Sequence, residues 1–102
     1  MTVLEEPVKE VLWLKNYVNG EWVQSTSNVF KDVVNPATMK PLAKVPLSNK
    51  EDLDGAVEAA CEAFPRWRRT TPLARARYFF RLKDLLEENF EEISRICVME
   101  HG

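Results

Sequence analysis

Cysteine, histidine and glycine are all scarce in this 102-residue chain, which holds two, one and three of them. Cys61 and Cys97 are too few and too far apart for a disulfide framework, and so few thiols suit a reduced, cytoplasmic protein. One histidine and two separated cysteines cannot build a metal centre. Gly20, Gly55 and Gly102 are too dispersed for G-x-G-x-x-G or any related phosphate loop. No run approaches the ~18 apolar residues that a membrane helix needs. Glu5, Glu6 and Glu10 fall early and no arginine precedes Arg66, which argues against a secretory signal and an Arg-rich transit peptide. A net charge of −2 gives no bulk drive toward nucleic acid or an anionic membrane. There is no internal repeat and no low-complexity segment.

What is present reads as soluble globular protein, one small domain or a piece of a larger one. Residues 1–14 form a lead-in. Val8, Val11 and Leu12 have helical spacing, but Pro7 and the short length make a helix marginal. The simple expectation is a tail that docks through Val11, Leu12 and Trp13. Residues 15–24 predict a β hairpin, because Asn19-Gly20 tolerates the two positive φ angles of a type I′ turn. That turn sets Tyr17 opposite Trp22, a paired-aromatic contact worth roughly 0.2–1 kcal/mol. After a polar link at Ser25–Asn28, residues 28–34 and 41–45 predict a second ribbon. Asn35-Pro36 marks its turn entry, and Pro41 and Pro46 lie at its ends, where a missing N–H costs least.

Everything after Pro46 predicts helix. Ser48 and Glu51 have capping-box spacing, and Glu51, Asp52 and Asp54 suit the positive end of a helix dipole. Leu53, Ala56, Val57, Ala60 and Phe64 share one helical face. Ala59, Ala60 and Ala63 keep one side slim for close packing, and Pro65 ends or kinks the helix. Thr71-Pro72 starts a second helix, Thr as N-cap and Pro at the first helical position. Leu73, Ala76, Phe80, Leu82, Leu85 and Leu86 give it a wide apolar stripe, which Asn89 interrupts. Phe90, Ile93, Ile96, Cys97 and Val98 carry a last segment with Gly102 as its C-cap. Two ribbons and two or three amphipathic helices are therefore expected.

Residues that could carry chemistry have structural readings beside the functional ones. Cys61 lies between Glu58 and Glu62, and acidic neighbours raise a thiol pKa, the wrong direction for a nucleophile. Cys61 and Cys97 read as small buried apolar residues. His101, near Glu100 and Cys97, could suggest a dyad, but a helix C-terminal cation on the dipole accounts for it. Arg66, Arg68, Arg69, Arg75, Arg77 and Arg81 crowd around Trp67, Tyr78, Phe79 and Phe80, a pattern that can bind single-stranded nucleic acid. Asp84, Glu87, Glu88, Glu91 and Glu92 follow at once, so Arg77 and Arg81 are expected to pair with nearby acids. Arg69, Arg75 and Arg77 are expected to make structural contacts to carboxylates or backbone. Trp22 and Trp67 read as buried anchors.

The succession N-Y-V-N-G-E-W-V, D-V-V-N-P-A-T, V-P-L-S-N-K-E-D-L-D-G-A-V-E-A-A-C-E-A-F-P-R-W, A-R-A-R, L-L-E-E-N-F-E-E-I and M-E-H-G resembles the N-terminal end of the aldehyde dehydrogenase superfamily. The likeness runs from about Leu14 to Gly102. K-N-Y-V-N-G-E-W-V and D-V-V-N-P-A-T are most similar to its CoA-acylating methylmalonate-semialdehyde (malonate-semialdehyde) branch. The resemblance implies an α/β fold with an NAD-binding Rossmann-like domain, a catalytic domain and an oligomerisation arm, of which residues 15–102 are the leading part of the NAD-binding domain. It implies NAD as cofactor, an aldehyde and coenzyme A as substrates, and a homo-oligomer. A cysteine thiolate would attack the aldehyde, hydride would pass to NAD, and CoA would take the acyl group. The nucleophilic cysteine, the general-base glutamate, the oxyanion-binding asparagine and the Rossmann strands would all lie beyond Gly102, so no catalytic, cofactor-binding or metal residue is expected in this chain. By resemblance alone, a carbonyl of Val33 or Val34 could help hold a structural cation; a plain turn is the alternative. The chain by itself is expected to be inactive and poorly stable. The alternatives are a protein-interaction module using the alanine face or the arginine cluster, a non-acylating aldehyde dehydrogenase, and a nucleic-acid binder.

Overall fold

In the computed structural model, which describes residues 10–102, five short strands precede three helices: β1 (Leu12–Trp13), β2 (Asn16–Val18), β3 (Glu21–Val23), β4 (Phe30–Asn35), β5 (Lys40–Pro46), α1 (Lys50–Arg69), α2 (Pro72–Glu88) and α3 (Phe90–His101). The proposed contributions of Pro7 and Val8 to a lead-in helix lie outside the described residues.

The first hairpin forms as its turn dictates. Asn19 and Gly20 take φ of 53° and 78°, and Tyr17 pairs with Trp22, their ring centroids 4.9 Å apart. This is a sheet of its own; β1, β5 and β4 make the other. The lead-in docks as expected of Trp13, whose ring meets Phe30 edge-on at 4.9 Å, with Lys44 Nζ 5.2 Å from its centroid. Its form was not expected: β1 pairs in parallel with β5, Leu12 beside Ala43. A two-residue strand carries no readable alternation, so only the neighbouring edge of β5 reveals it.

The second ribbon pairs β4 and β5 antiparallel as expected, with Pro41 near its turn end, and extends one residue further to Asn35, which pairs with Lys40. Val33 faces Ala43 and Val34 faces Pro41, which leaves Leu42 as a bulged residue without a partner. A bulge re-aims a side chain, and Leu42 is the most buried apolar residue among those described, 6% exposed. Proline at the bulge costs no ladder bond. Asn35 closes the turn: its carbonyl accepts the amides of Thr38 (3.2 Å) and Met39 (2.7 Å), and its Oδ1 accepts that of Ala37 at 3.0 Å.

Helix α1 starts one residue later than expected. Asn49, not Ser48, is the N-cap. Asn49 Oδ1 accepts the Asp52 amide at 3.0 Å and Asp52 Oδ2 accepts the Asn49 amide at 3.3 Å. The Asn49–Asp52 pair has the same spacing as Ser48–Glu51, and the Ser48 hydroxyl is taken up by Asn16 Nδ2 at 2.9 Å. Nor does Pro65 end the helix, which continues to Arg69. One missing N–H frees one carbonyl, and solvent serves it on this exposed stretch. Helix α2 has the expected cap, the Thr71 hydroxyl accepting the Ala74 amide at 3.2 Å, and Asn89 divides α2 from α3. Gly102 closes α3 with φ of 90°, a conformation that favours glycine, and a Cβ there would lie 3.1 Å from Pro36 Cβ, so helix end and ribbon turn meet closely.

The core is small. Leu42 and Met99 are its only buried apolar residues among those described, Leu42 on β5 and Met99 on α3, which packs on β4. The stripe of α1 (Leu53, Val57, Phe64) and that of α2 (Leu73, Phe80, Leu82, Leu86) stand exposed. The chain exposes 9085 Å², against roughly 5,900 Å² expected for a compact monomer of its mass. Its radius of gyration is 17.6 Å, against about 13 Å for a compact domain of this length. The helices form by local periodicity; the described residues supply little to cover them.

Candidate functional site

Polar side chains concentrate where the first hairpin meets the N-terminus of α1. The Ser25–Asn28 link bends so that the Ser25 hydroxyl donates to Asp52 Oδ2 and the Thr26 amide donates to Asp52 Oδ1 at 3.0 Å. Thr26 Oγ1 lies 3.0 Å from both Asn49 Oδ1 and Asp52 Oδ1, sharing one proton between them. These donors, the Ser25 hydroxyl foremost, hold the Asp52 carboxyl at a pKa of about 2 against its ordinary 3.8, over the opposing effect of desolvation. Asp52 is therefore an ionised carboxylate at neutral pH, no general acid. An open groove of about 710 Å³ runs beside it, lined by Val18, Val23, Lys50, Asp54 and Ala56 among others. Lys50 Nζ is taken by Asp54 at 2.5 Å.

This corner does not suit a dinucleotide phosphate. The amide end of α1 that would receive an anion already holds the Asp52 carboxylate, and Glu51 lies beside it. α2 opens on Pro72 with Thr71 as cap. The three glycines occupy a hairpin turn, a helix interior and a helix end.

The arginine cluster resolves into one structural residue and several solvated ones. Arg75 reaches back from α2 to the end of α1, its Nη2 donating to the carbonyls of Trp67 (2.8 Å) and Arg68 (3.1 Å) and its Nε to that of Thr70 (3.0 Å). Its guanidinium also lies 5.2 Å from the Trp67 ring centroid, and Tyr78 lies against the same indole at 5.9 Å. This is the backbone role expected of Arg75. The ion pairs expected of Arg77 and Arg81 do not form among the described residues; on α2 the i,i+4 pair is Lys83–Glu87 at 2.9 Å.

Both thiols contradict the buried reading: Cys61 and Cys97 are exposed, because the helix faces that carry them have nothing packed over them. Trp22 likewise is 70% exposed rather than a buried anchor, with Tyr17 against its ring. Cys97 and His101 line one shallow groove with Val98 and Gly102, but no hydrogen bond joins them. Among the described residues no cluster of three or more His, Cys, Asp or Glu could hold a metal, and no helix is long and apolar enough to cross a membrane. Reasoning from sequence missed the Ser25–Thr26–Asp52 junction, whose only signal is a Ser-Thr-Ser run a hairpin's length before a capped helix.

The model of the aldehyde dehydrogenase family matches residues 22–102. A malonate-semialdehyde dehydrogenase 2 of Bacillus mycoides (strain KBAB4) is 50% identical over 95 residues, 93% of this chain and 20% of its own length. The malonate-semialdehyde dehydrogenase of Bacillus subtilis (strain 168) is 45% identical over 93 residues, 91% of this chain and 19% of its own. A crystal structure assigned as methylmalonate-semialdehyde dehydrogenase, from Sinorhizobium meliloti 1021 and complexed with NAD, superposes with a TM-score of 0.84 at 33% identity, over 89% of this chain and 18% of its own. The chain thus spans about a fifth of the length of the relatives it matches, and with the family match covering most of its residues it belongs to the aldehyde dehydrogenase family.

Proposed function

We propose that this chain is the leading segment of an NAD-dependent aldehyde dehydrogenase that oxidises malonate or methylmalonate semialdehyde to an acyl-CoA. The observation that carries this reading is identity of 45–50% to malonate-semialdehyde dehydrogenases across more than nine-tenths of the chain. The NAD complex of the Sinorhizobium relative supports the cofactor. Residues 1–14 serve as a lead-in and residues 15–102 as the first part of the NAD-binding domain. The exposed stripes of α1 and α2 suit that role, since about 25 cal/mol per Å² of apolar area is gained when they are covered.

In the whole protein NAD would supply hydride acceptance when bound, a thiolate from outside this chain would attack the aldehyde, and CoA would take over the acyl group. This chain contributes scaffold and holds none of those groups; a reducing cytoplasm fits the two unpaired thiols, and the family resemblance implies a homo-oligomer. The test is to assay the full-length gene product for NADH formation from malonate semialdehyde, with and without CoA, and to identify the product. CoA-dependent acyl-CoA formation is expected. Free acid formed without CoA would replace this reading with a non-acylating dehydrogenase, and no NADH from any semialdehyde would end it.

A further inference from the structure

The β2–β3 hairpin is fixed at two points to the main sheet. The chain enters it at Leu14, whose amide donates to the Lys44 carbonyl at 2.9 Å, and leaves it at Val29, whose carbonyl accepts the Leu47 amide at 2.8 Å. Between those anchors the hairpin pairs only with itself, a separate two-stranded sheet. An isolated two-stranded hairpin is marginal in water. Where apolar packing against α1 would be expected, Val18, Val23 and Ala56 instead line the open groove. What spans the gap is polar: Asn16 to Ser48, Ser25 to Asp52, and Thr26 to Asp52 and Asn49.

We infer that residues 15–28 form a hinged arm whose orientation on α1 is set by this polar latch, with Asp52 as its keystone, and that the arm swings free when the latch is broken while the β4–β5 ribbon and α3 stay folded. Asp52 is a positioning residue: it accepts from the Ser25 hydroxyl and from the Thr26 amide and hydroxyl, and from the Asn49 amide of its own helix cap, so its loss removes three bonds to the arm together. Tyr17 and Trp22, exposed on the arm, move with it. The inference rests on hydrogen-bond geometry and stands independently of the enzymatic reading.

The test is a distance measurement on the full chain. Spin labels go on native Cys61, exposed on α1, and on Glu21→Cys in β3, with Cys97→Ser to leave two sites. Pulsed electron resonance should give one narrow distance for this parent and a broad distribution for Asp52→Ala. Amide exchange should show Thr26 opening about tenfold faster or more, as expected on losing a hydrogen bond to a charged acceptor, with β4–β5 protection unchanged. Ser25→Ala, which leaves the α1 cap intact, should reproduce the broadening to a lesser degree. A narrow distribution in both variants, or a broad one in the parent, would overturn the latch. Loss of β4–β5 protection in both variants would also overturn it, since the arm would then be part of one cooperative unit.

Discussion

Asp52 Oδ1 accepts the Thr26 amide at 3.0 Å across 26 residues of chain, joining the end of a hairpin to the first turn of a helix through one carboxylate. Its pKa of about 2 in the fold lies below its ordinary 3.8. A carboxylate held down in the native state contributes stability that is present in full above its unfolded pKa and is lost as the pH falls through the folded one. The Thr26 amide should therefore stay protected above pH 3.8 and open progressively toward pH 2. Asp52→Asn should leave that amide equally exposed across the same window. Amide exchange followed by NMR during an acid titration checks this, and an identical acid response in both proteins would count against the assignment.

Arg75 donates to three carbonyls at the end of α1. Arg75→Ala should lower stability by about 1–2 kcal/mol, with the bonds partly exposed. Arg75→Lys should recover little, because a point ammonium cannot reproduce the fork. Urea titration followed by Trp fluorescence reads both; full rescue by lysine would show that charge alone matters there.

Met39 holds φ of 60° in the β4–β5 turn with its side chain 75% exposed. A non-glycine residue in that region carries a strain of roughly 1–2 kcal/mol, which Asn tolerates better. Met39→Asn should raise the melting temperature of the chain by a few degrees. An unchanged or lower value would mean the methionine gains something that its exposure hides.

Pro65 sits inside α1. Pro65→Ala restores an amide donor to the Cys61 carbonyl, and an interior helix proline costs about 3 kcal/mol relative to alanine. Helicity by circular dichroism should rise, and the Cys61 region should exchange more slowly. No gain would indicate that the helix has already relaxed around the ring.

Leu42 and Leu82 separate core from uncovered stripe. Leu42→Ala should destabilise the chain by about 2–4 kcal/mol, or unfold it, while Leu82→Ala, at a side chain 48% exposed, should stay within about 0.5 kcal/mol. If the stripe of α2 is covered in a longer protein, Leu82→Ala should cost much more there. Parallel melts of the 102-residue chain and the full-length gene product would show the difference.

Local chemistry was readable in the residues themselves. Asn19-Gly20 dictated a type I′ turn and with it the Tyr17–Trp22 register, because positive φ and a two-residue loop leave no other pairing. Thr71-Pro72, Asn89 and Gly102 marked helix limits through the few side chains that can satisfy or forgo terminal amides. The ordered motifs from N-Y-V-N-G-E-W-V to M-E-H-G resembled the aldehyde dehydrogenase family, to which the chain belongs. The helix start at Ser48 was misjudged, since two capping pairs of equal spacing compete, and of the two outcomes expected at Pro65 a helix end does not occur, since one proline inside an exposed helix is survivable.

Tertiary structure alone decided what lay between distant segments. β1 exists because the edge of β5 is open beside it. Leu42 is buried at the register shift between β4 and β5, and Asp52 serves Ser25 and Thr26 because the link after the hairpin returns to the start of α1. Whether Cys61, Cys97 and Trp22 are buried depended on what packs against them, a property of surfaces in space that periodicity cannot specify. Sequence thus determined the elements and their caps, which depend on neighbours within a few residues. Burial, latch and core followed from contacts between segments far apart in the chain.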